Sequence, residues 1–366
     1  MRRKIYFRTD KSVKEFKKIG VLTSGGDAPG MNAAIRAVVR AAISSGVEVM
    51  GIYRGYSGLI DGDIKPLAIR DVSNIINKGG TVLYSDRCPE MLTEEGKQKA
   101  IETCRKFEID GLVVIGGDGT FRGATELTLR GIPCVGIPGT IDNDVSSTDS
   151  TIGYYTAMNT VTELIDKLRD TCESHARCNV VEVMGRGAGD IALNTAIASG
   201  ATAVAIPEFD FDEQELFEKI RHSRKLGKRN FIVIVSEGLG EAYAPSLAKK
   251  IQENTGVETK FARFAHIVRG GNPSVTDRIL ASQMGAYAVD MLLQGKSNIV
   301  ICIRNGDIVE GGISYALKLD AMYKGKLCDG DLDEFSPETV EHMKRECQER
   351  RASMEKLYAT QKRINL

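Results

Sequence analysis

Residues 111–120 read Gly-Leu-Val-Val-Ile-Gly-Gly-Asp-Gly-Thr, and the fold class can be predicted by working outward from them. Its first half, Gly111–Ile115, is an apolar run without polar alternation, which is typical of a strand buried on both faces. A glycine-rich loop follows, and a helix is predicted after that loop. Apolar runs of this kind alternate with helix-like stretches along the chain. The alternation predicts an open parallel sheet that is covered by helices on both sides.

Eight buried strands and several helices are predicted from this pattern. The strands are Ile19–Leu22, Val47–Ile52, Gly111–Ile115, Cys134–Ile137, Val180–Val183, Ala203–Ile206, Phe231–Val235 and Ile299–Ile303. The clearest helices are Met31–Ile43, Gly96–Phe107, Tyr154–Leu168, Gln214–Arg224 and Arg278–Leu293. In such sheets ligands bind outside the carboxyl ends of the strands, so the loops at those ends are expected to carry the chemistry.

Length and charge limit the classes of protein to consider. The 366 residues are enough for two domains of about 100–200 residues each. The 49 basic and 49 acidic side chains give a net charge of zero, which argues against nucleic acid as the main partner. The sequence also lacks the roughly 18-residue apolar run that a membrane span needs. Residues 1–18 hold eight Lys or Arg, and a solvated arm is favoured there over a targeting presequence.

Cysteine and histidine usage gives no sign of a metal centre. The eight cysteines contain no Cys-x-x-Cys pair, and the four histidines are far apart in the sequence. Zinc and redox signatures are therefore absent. Reduced thiols are expected, and with them a cytoplasmic location.

Two glycine-rich loops follow predicted strands. The first, Thr23–Asn32, could bring the backbone close to a ligand, and Met31-Asn32 exclude a P-loop because that motif needs Lys-Ser/Thr there. Tight-turn glycines without a ligand are an equal alternative for this loop. The second, Gly116–Thr120, joins a backbone cradle to one carboxylate, which suits a magnesium-bound polyphosphate. Its alternative is a turn in which Asp118 only caps the next helix.

A third loop, Pro138–Asp144, also follows a predicted buried strand. Asp142 and Asp144 stand two residues apart at the strand end, where they could hold a metal or share acid–base work. A turn rich in Asp and Asn is the alternative.

Five segments together resemble the bacterial ATP-dependent 6-phosphofructokinase family. They are Thr23–Asn32, Gly116–Thr120, Pro138–Asp144, Glu182–Arg186 and His266–Gly271, in the family's order. The resemblance implies an α/β fold of two Rossmann-like, three-layer α/β/α domains with mostly parallel sheets and an active site in the cleft between them. It implies an ATP-binding domain over 19–152 and 267–317, a sugar-phosphate domain over 153–266 and 318–336, and a helical extension over 337–366.

The resemblance also implies a reaction, the transfer of the ATP γ-phosphoryl group to the 1-hydroxyl of fructose 6-phosphate with Mg²⁺. Asp142 is expected to act as the base, Asp118 to hold the metal, and Asp144 to support the same site. The other expected catalytic residues are Gly26, Thr140 and Arg186. The expected ATP-binding residues are Gly26, Tyr56, Arg87, Cys88, Gly117, Asp118, Gly119, Thr120 and Gly123. The expected sugar-binding residues are Thr140, Asp142, Arg177, Met184, Gly185, Arg186, Glu237, Lys260, His266 and Arg269.

Two glycines bear on the phosphoryl donor. Pyrophosphate-dependent relatives carry Asp where Gly119 stands and Lys where Gly139 stands, so the resemblance implies ATP. The alternatives are a pyrophosphate-dependent or other sugar-phosphate kinase, or a weakly catalytic regulatory subunit.

Three features depart from the family pattern or match it only in part. The second 6-phosphate arginine, which a neighbouring subunit supplies in the family, aligns with Lys260, and lysine loses the bidentate fork. If residues 258–268 form a strand, Lys260 and His266 share a face and Arg263 points away. Cys88 replaces an aromatic residue.

Shared phosphate contacts imply a homo-oligomer, a tetramer. A family effector site, or a plain solvated face, is implied at Arg36, Arg40, Arg169, Lys228 and Arg229.

The C-terminal segment is predicted to be a helix that begins at Ser336-Pro337-Glu338. Its apolar stripe consists of Val340, Met343, Cys347, Met354 and Leu357. Packing on its own subunit and an additional contact between subunits are the two alternatives.

Overall fold

A computed structural model describes residues 16–365, so residues 1–15, which hold most of the expected basic arm, lie outside the described part. The strands in this part are β1 Lys18–Thr23, β2 Glu48–Ile52, β3 Ile64–Pro66, β4 Gly111–Gly116, β5 Cys134–Pro138, β6 Cys178–Val183, β7 Ala203–Ala205, β8 Phe231–Ser236, β9 Thr259–Arg263, β10 Ile299–Arg304 and β11 Asp307–Gly312. All eight predicted strands are confirmed.

The α-helices in the described part include every predicted one. They are α1 Met31–Ser44, α2 Gly55–Asp61, α3 Glu94–Lys106, α4 Asp118–Leu129, α5 Tyr154–His175, α6 Asp190–Ala198, α7 Glu213–Lys225, α8 Tyr243–Thr255, α9 Val275–Leu293, α10 Ile313–Tyr323 and α11 Pro337–Ile364. Within residues 16–365, every helix is too short or too polar to cross a membrane.

The strands form two sheets. The first has the order β11-β10-β5-β4-β1-β2-β3, and the second has the order β7-β8-β6-β9. The second sheet is wholly parallel, whereas in the first β3 and β11 run antiparallel to their neighbours at the two edges. The predicted α/β class with mostly parallel sheets is confirmed. The domain boundaries remain a prediction.

Strand β4 shows why continuous apolar runs predicted the sheet. Val113 and Ile115 face one buried cluster, while Leu112 and Val114 face another on the opposite side of the sheet. Each such side chain stabilises the fold by about 1.5–3 kcal/mol when fully buried. Both faces are covered, so polar alternation is absent.

Helices α1 and α9 cover one face of the first sheet, and a small residue lets them approach closely. A Cβ at Gly285 of α9 would lie 2.7 Å from the Ala37 Cβ and 2.8 Å from the Ala34 carbonyl oxygen. A larger side chain at Gly285 would therefore separate the two helices.

The expectation that residues 258–268 form one strand is wrong. Strand β9 ends at Arg263, and the residues Ala265–Arg269 form a short 3₁₀-helix. The chain turns at Ala265, where φ is +36°. Strand alternation therefore does not relate Lys260 to His266.

Helix α11 begins as predicted and packs on its own chain. The Ser336 hydroxyl oxygen accepts a hydrogen bond from the Thr339 N–H at 3.2 Å, which caps the first turn. Met343 and Met354 are buried, whereas Leu357 is 36% exposed and does not belong to the buried stripe. The Gln361 side chain is buried instead and donates to the Ala201 carbonyl at 2.9 Å. An additional contact between subunits remains a prediction.

Candidate active site

A cavity of about 700 Å³ opens at the carboxyl ends of β1, β4 and β5. The loops after these strands meet there because parallel strands end at the same edge of a sheet. The predicted residues that line it are Gly26, Tyr56, Arg87, Cys88, Gly117, Asp118, Gly119, Thr120, Gly123, Thr140, Asp142, Arg186 and Arg269. The three loops singled out in the sequence therefore form one site.

The second glycine-rich loop provides the floor of this cavity. Gly117 is the N-cap of α4 and no side chain caps that helix, so Asp118 is not the capping residue. The Asp118 Oδ1 atom is buried without a hydrogen-bond partner. Added Cβ atoms at Gly117 and Gly119 would meet no atom within 4 Å. The loop thus offers an unpaired carboxylate oxygen beside open space, which fits a cation with bound phosphates.

Tyr56 closes one side of the cavity and is held by two contacts. Its hydroxyl donates to the Thr120 carbonyl at 2.6 Å. A Cβ at Gly123 would lie 2.6 Å from the Tyr56 ring, so only glycine lets the ring pack there. Burial raises the pKa of Tyr56 well above its ordinary value, which keeps the hydroxyl protonated as a donor.

Asp142 lies on the third loop and is only 2% exposed. Its backbone N–H donates to the Thr140 hydroxyl at 3.2 Å, and its Oδ1 atom has no hydrogen-bond partner. Burial and the nearby Asp144 carboxylate raise the pKa of Asp142 to about 6, against the opposing charges of Arg269 and Arg186. A carboxylate with this pKa can take up a proton near neutral pH, which is what a general base requires.

Arg186 and Lys324 surround the second carboxylate of this loop. The Arg186 Nη1 atom lies 3.6 Å from Asp144 Oδ2. The Lys324 Nζ atom donates to Asp144 Oδ2 at 3.2 Å and to the Asp144 carbonyl at 3.0 Å. The sequence predicted Arg186 here but not Lys324, which lies on the segment after α10.

A second cavity of about 540 Å³ lies at the carboxyl ends of β6, β8 and β9. Its predicted lining residues are Met184, Arg186, Glu237 and His266. The Glu237 Oε1 atom accepts the backbone N–H groups of Gly185 at 3.1 Å and of Arg186 at 2.8 Å. These bonds hold Arg186 at φ +52°, a left-handed conformation. Arg186 lines both cavities, so the two cavities meet at this residue.

Arg263 shares a face of β9 with Phe261 and so points away from Lys260, as strand alternation predicts, but it does not point away from His266. Arg263 lines the second cavity together with His266. Its Nε atom lies 2.6 Å from Glu182 Oε1, and its Nη1 atom lies 3.3 Å from Glu241 Oε1. Because the chain leaves the strand after Arg263, His266 comes to line the same cavity as Arg263. The two carboxylates neutralise its charge.

Arg177 and Lys260 lie at the amino ends of strands in the second sheet. Their strands β6 and β9 begin there, whereas both cavities lie at the carboxyl ends of strands. The Arg177 Nε and Lys260 Nζ atoms contact the same carboxylate, Glu258, at 2.7 and 2.9 Å. These hydrogen bonds lower the pKa of Glu258 to about 2. Arg269 instead lines the first cavity and donates to the Asp27 carbonyl at 3.2 Å. Within a single chain, Arg177 and Lys260 therefore do not lie together with Arg269.

The predicted effector residues lie on separate elements of the chain. Arg36 and Arg40 lie on α1. Arg169 on α5 donates to the Asn230 side chain at 3.0 Å. Burial lowers the pKa of Lys228, and so does the charge of Arg169, which therefore lies nearby. Arg229 donates to the Glu173 carbonyl at 3.2 Å. The effector site remains a prediction.

Several lining residues could not be found from sequence motifs. Lys97, Arg122 and Glu126 line the first cavity, and the Lys97 Nζ atom lies 2.8 Å from Glu126 Oε2. They lie on helices, without a distinctive motif. Within residues 16–365, no group of three or more His, Cys, Asp or Glu side chains is arranged to hold a metal ion.

Known proteins are similar to this chain in sequence and in architecture. The phosphofructokinase family model matches residues 18–292. The ATP-dependent 6-phosphofructokinase of Bacillus pumilus (strain SAFR-032) is 53% identical over 322 residues, which cover 88% of this chain and 99% of the relative. The phosphofructokinase of Saccharomyces cerevisiae matches with a TM-score of 0.82 at 33% identity over 94% of this chain, which spans 50% of the yeast chain. The pyrophosphate-dependent phosphofructokinase of Marinobacter aquaeolei matches with a TM-score of 0.71 at 25% identity, over 81% of this chain and 83% of the other.

Proposed function

This chain belongs to the phosphofructokinase family, and from that premise we propose that it transfers the ATP γ-phosphoryl group to the 1-hydroxyl of fructose 6-phosphate. The products are ADP and fructose 1,6-bisphosphate, as in glycolysis. One observation carries the proposal: Asp142 is a buried carboxylate of raised pKa, and Arg186 beside it lines both cavities. A base that lies beside an arginine at the junction of two cavities can serve a reaction between two substrates.

The first cavity is the proposed nucleotide site, and the second is the proposed sugar site. Asp142 takes the proton of the 1-hydroxyl while that oxygen forms a bond to the γ-phosphorus. The bond from the γ-phosphorus to the β–γ bridging oxygen breaks, and ADP leaves with that electron pair. Arg186 lies 3.9 Å from Asp142 and can balance the charge that spreads over the transferring group.

Magnesium is the proposed cofactor because the donor set fits it. Asp118 would hold the ion through its unpaired oxygen, beside the open space at Gly117 and Gly119. When bound, the ion neutralises charge on the ATP phosphates.

ATP is the proposed donor on both sequence and geometry. The resemblance seen in the sequence implies ATP because residue 119 is glycine, and that position is open toward the cavity. The relative named above at 53% identity is ATP-dependent, so the pyrophosphate alternative is not favoured.

The proposed assembly is a tetramer in which subunits share the sugar-phosphate site. Arg177 and Lys260 lie at the far edge of the second sheet, where a neighbouring subunit's substrate could reach them. They can then complete the phosphate clamp that one chain leaves open.

The deciding experiment measures turnover of fructose 6-phosphate with MgATP and, in parallel, with magnesium pyrophosphate. Saturable formation of fructose 1,6-bisphosphate with ATP supports the proposal. Turnover with pyrophosphate alone would overturn the proposed donor. A folded protein that binds ATP but turns over neither donor would instead be a regulatory subunit.

A further inference from the structure

The C-terminal helix α11 reaches the loop that carries Asp142. Its residue Arg350 donates from Nη2 to the Asn143 carbonyl oxygen at 2.8 Å. The two residues are 207 positions apart in the sequence. This carbonyl belongs to the peptide that joins Asn143 to Asp144, so the helix holds the backbone between the two carboxylates.

The same arginine also holds the side chain of Asn143, through Asp190. The Arg350 Nη2 atom lies 3.4 Å from Asp190 Oδ1, and the Asn143 Nδ2 atom donates to that same oxygen at 3.1 Å. The other end of the Asn143 amide accepts the Thr151 N–H at 3.0 Å. Asn143 is thus fixed at its main-chain carbonyl and at both ends of its side chain.

The backbone of Asn143 forms a tight turn. Its φ is +53°, in the left-handed region, which asparagine adopts more readily than most residues other than glycine. The turn at Asn143 directs the Asp142 and Asp144 side chains, which are 2% and 7% exposed. A change of this backbone conformation would move both carboxylates at once.

Arg350 is itself well held. Its side chain is 19% exposed, its partner Asp190 is 14% exposed, and its guanidinium carbon lies 5.3 Å from the Tyr323 ring centroid. An arginine on a solvated helix face would be free to move; this one is packed between α6, the end of α10 and the loop. Its hydrogen bond to the Asn143 carbonyl is therefore ordered.

We propose that Arg350 of α11 is a positioning residue for the phosphoryl transfer, acting through Asn143 on Asp142 and Asp144. The proposal rests on the proposed function, and it assigns α11 a role in turnover beyond packing. Displacing a reacting group by about 1 Å costs up to 100-fold in rate, so loss of Arg350 is expected to lower kcat about 10- to 100-fold. No residue of α11 lines the first cavity, so KM for ATP is expected to stay within about twofold.

The test compares Arg350→Met with Arg351→Met in the full-length protein. Arg351 is the neighbouring arginine on α11, where it is exposed and donates to the Glu208 carbonyl at 3.3 Å. Because Arg350→Met leaves the buried Asp190 without its cation and can impair folding, the double variant Arg350→Met/Asp190→Asn is also made. Arg350→Lys keeps the charge with a single donor group and is expected to restore part of kcat.

Two readouts distinguish positioning from a purely structural role. The first is kcat and KM, measured well below the melting temperature of each variant. The second is hydrogen–deuterium exchange of the loop 139–149, which needs no turnover and is expected to be faster in the Arg350 variants. A folded Arg350→Met or double variant with wild-type kcat and wild-type exchange would overturn the proposal. A wild-type protein without turnover would overturn the proposed function alone, and exchange would still test the link from α11 to the loop.

Discussion

The Nε atom of Arg186 lies 3.9 Å from Oδ2 of Asp142, although the two residues come from the loops of different sheets. Arg186 is 64% exposed, whereas the Asp142 side chain is 3% exposed. The cation therefore reaches from the solvent-filled cavities to a buried base. Its charge opposes the effects of burial and of Asp144 on the pKa of Asp142.

Replacing Arg186 should therefore shift the pH dependence. The pKa of Asp142 is about 6, so kcat/KM of the wild-type enzyme is expected to fall as the pH drops below about 6 and the base becomes protonated. Arg186→Leu removes a charge that lowers this pKa and should move the acid limb to higher pH. Asp144→Asn removes a charge that raises the pKa and should move the limb to lower pH. Shifts of both variants in the same direction in the kcat/KM profile would contradict the assignment.

Asp142→Ser should lower kcat by about 10²–10⁴-fold, because the 1-hydroxyl then loses its general base. ATP binding, followed by calorimetry, should be retained because Asp118 and its glycines are unchanged. Asp166→Ser on the exposed face of α5 is the matched control. A folded Asp142→Ser enzyme with full kcat would remove Asp142 from the mechanism.

Gly119→Asp should fold and yet lose activity with ATP. The added side chain meets open space, so the melting temperature should change little. Its negative charge would face the nucleotide phosphates in the first cavity, so kcat/KM for ATP should fall by at least about 10-fold. Gly119→Ala separates size from charge and should lose much less. Equal losses for both variants would show that charge is not the reason.

Lys260→Arg should lower KM for fructose 6-phosphate by about 3- to 10-fold, because arginine binds phosphate through a bidentate fork. The kcat value should remain nearly constant. Lys250→Arg is the matched control, since Lys250 also pairs with a glutamate, Glu213, at 2.8 Å. An unchanged KM in the assembled enzyme would mean that residue 260 does not contact the sugar phosphate.

Gly285→Ala should destabilise the protein by about 1–3 kcal/mol, because its Cβ would press into α1. The melting temperature should fall accordingly in thermal unfolding followed by circular dichroism. Gly311→Ala in β11 is the control, since a Cβ there meets no atom within 4 Å. Equal stability of the two variants would contradict the close approach of α1 and α9.

The elements predicted from the sequence are those whose surroundings leave a local pattern. Strand β4 is buried on both faces, so an unbroken apolar run marks it. Strand β9 is an edge strand whose residues are mostly exposed, so Thr259–Arg263 carries no such run. The end of β9 is therefore not marked in the sequence, and the placement of His266 beside Arg263 could not be predicted.

Some residues of the candidate site could also be predicted from a local pattern, and others could not. Asp118 and Asp142 directly follow buried strands, and parallel strand ends meet at one edge, so the sequence could place them together. Lys324 and Arg350 reach the same loop from 180 and 207 residues away. They lie on α10's end and on α11, where lysine and arginine are ordinary surface residues. Only tertiary packing reveals these contacts.

Helix α11 has 28 residues and is thus about 42 Å long at 1.5 Å per residue. About a third of the way along the helix, Glu346 pairs with Arg304 of the first sheet. Near the C-terminal end, Gln361 bonds to the Ala201 carbonyl beside the second sheet, and Lys362 pairs with Glu215. The helix is therefore attached to both sheets, and a rotation of one sheet against the other would have to bend it or break one of these attachments. In mechanical terms, the C-terminal helix acts as a brace between the two sheets.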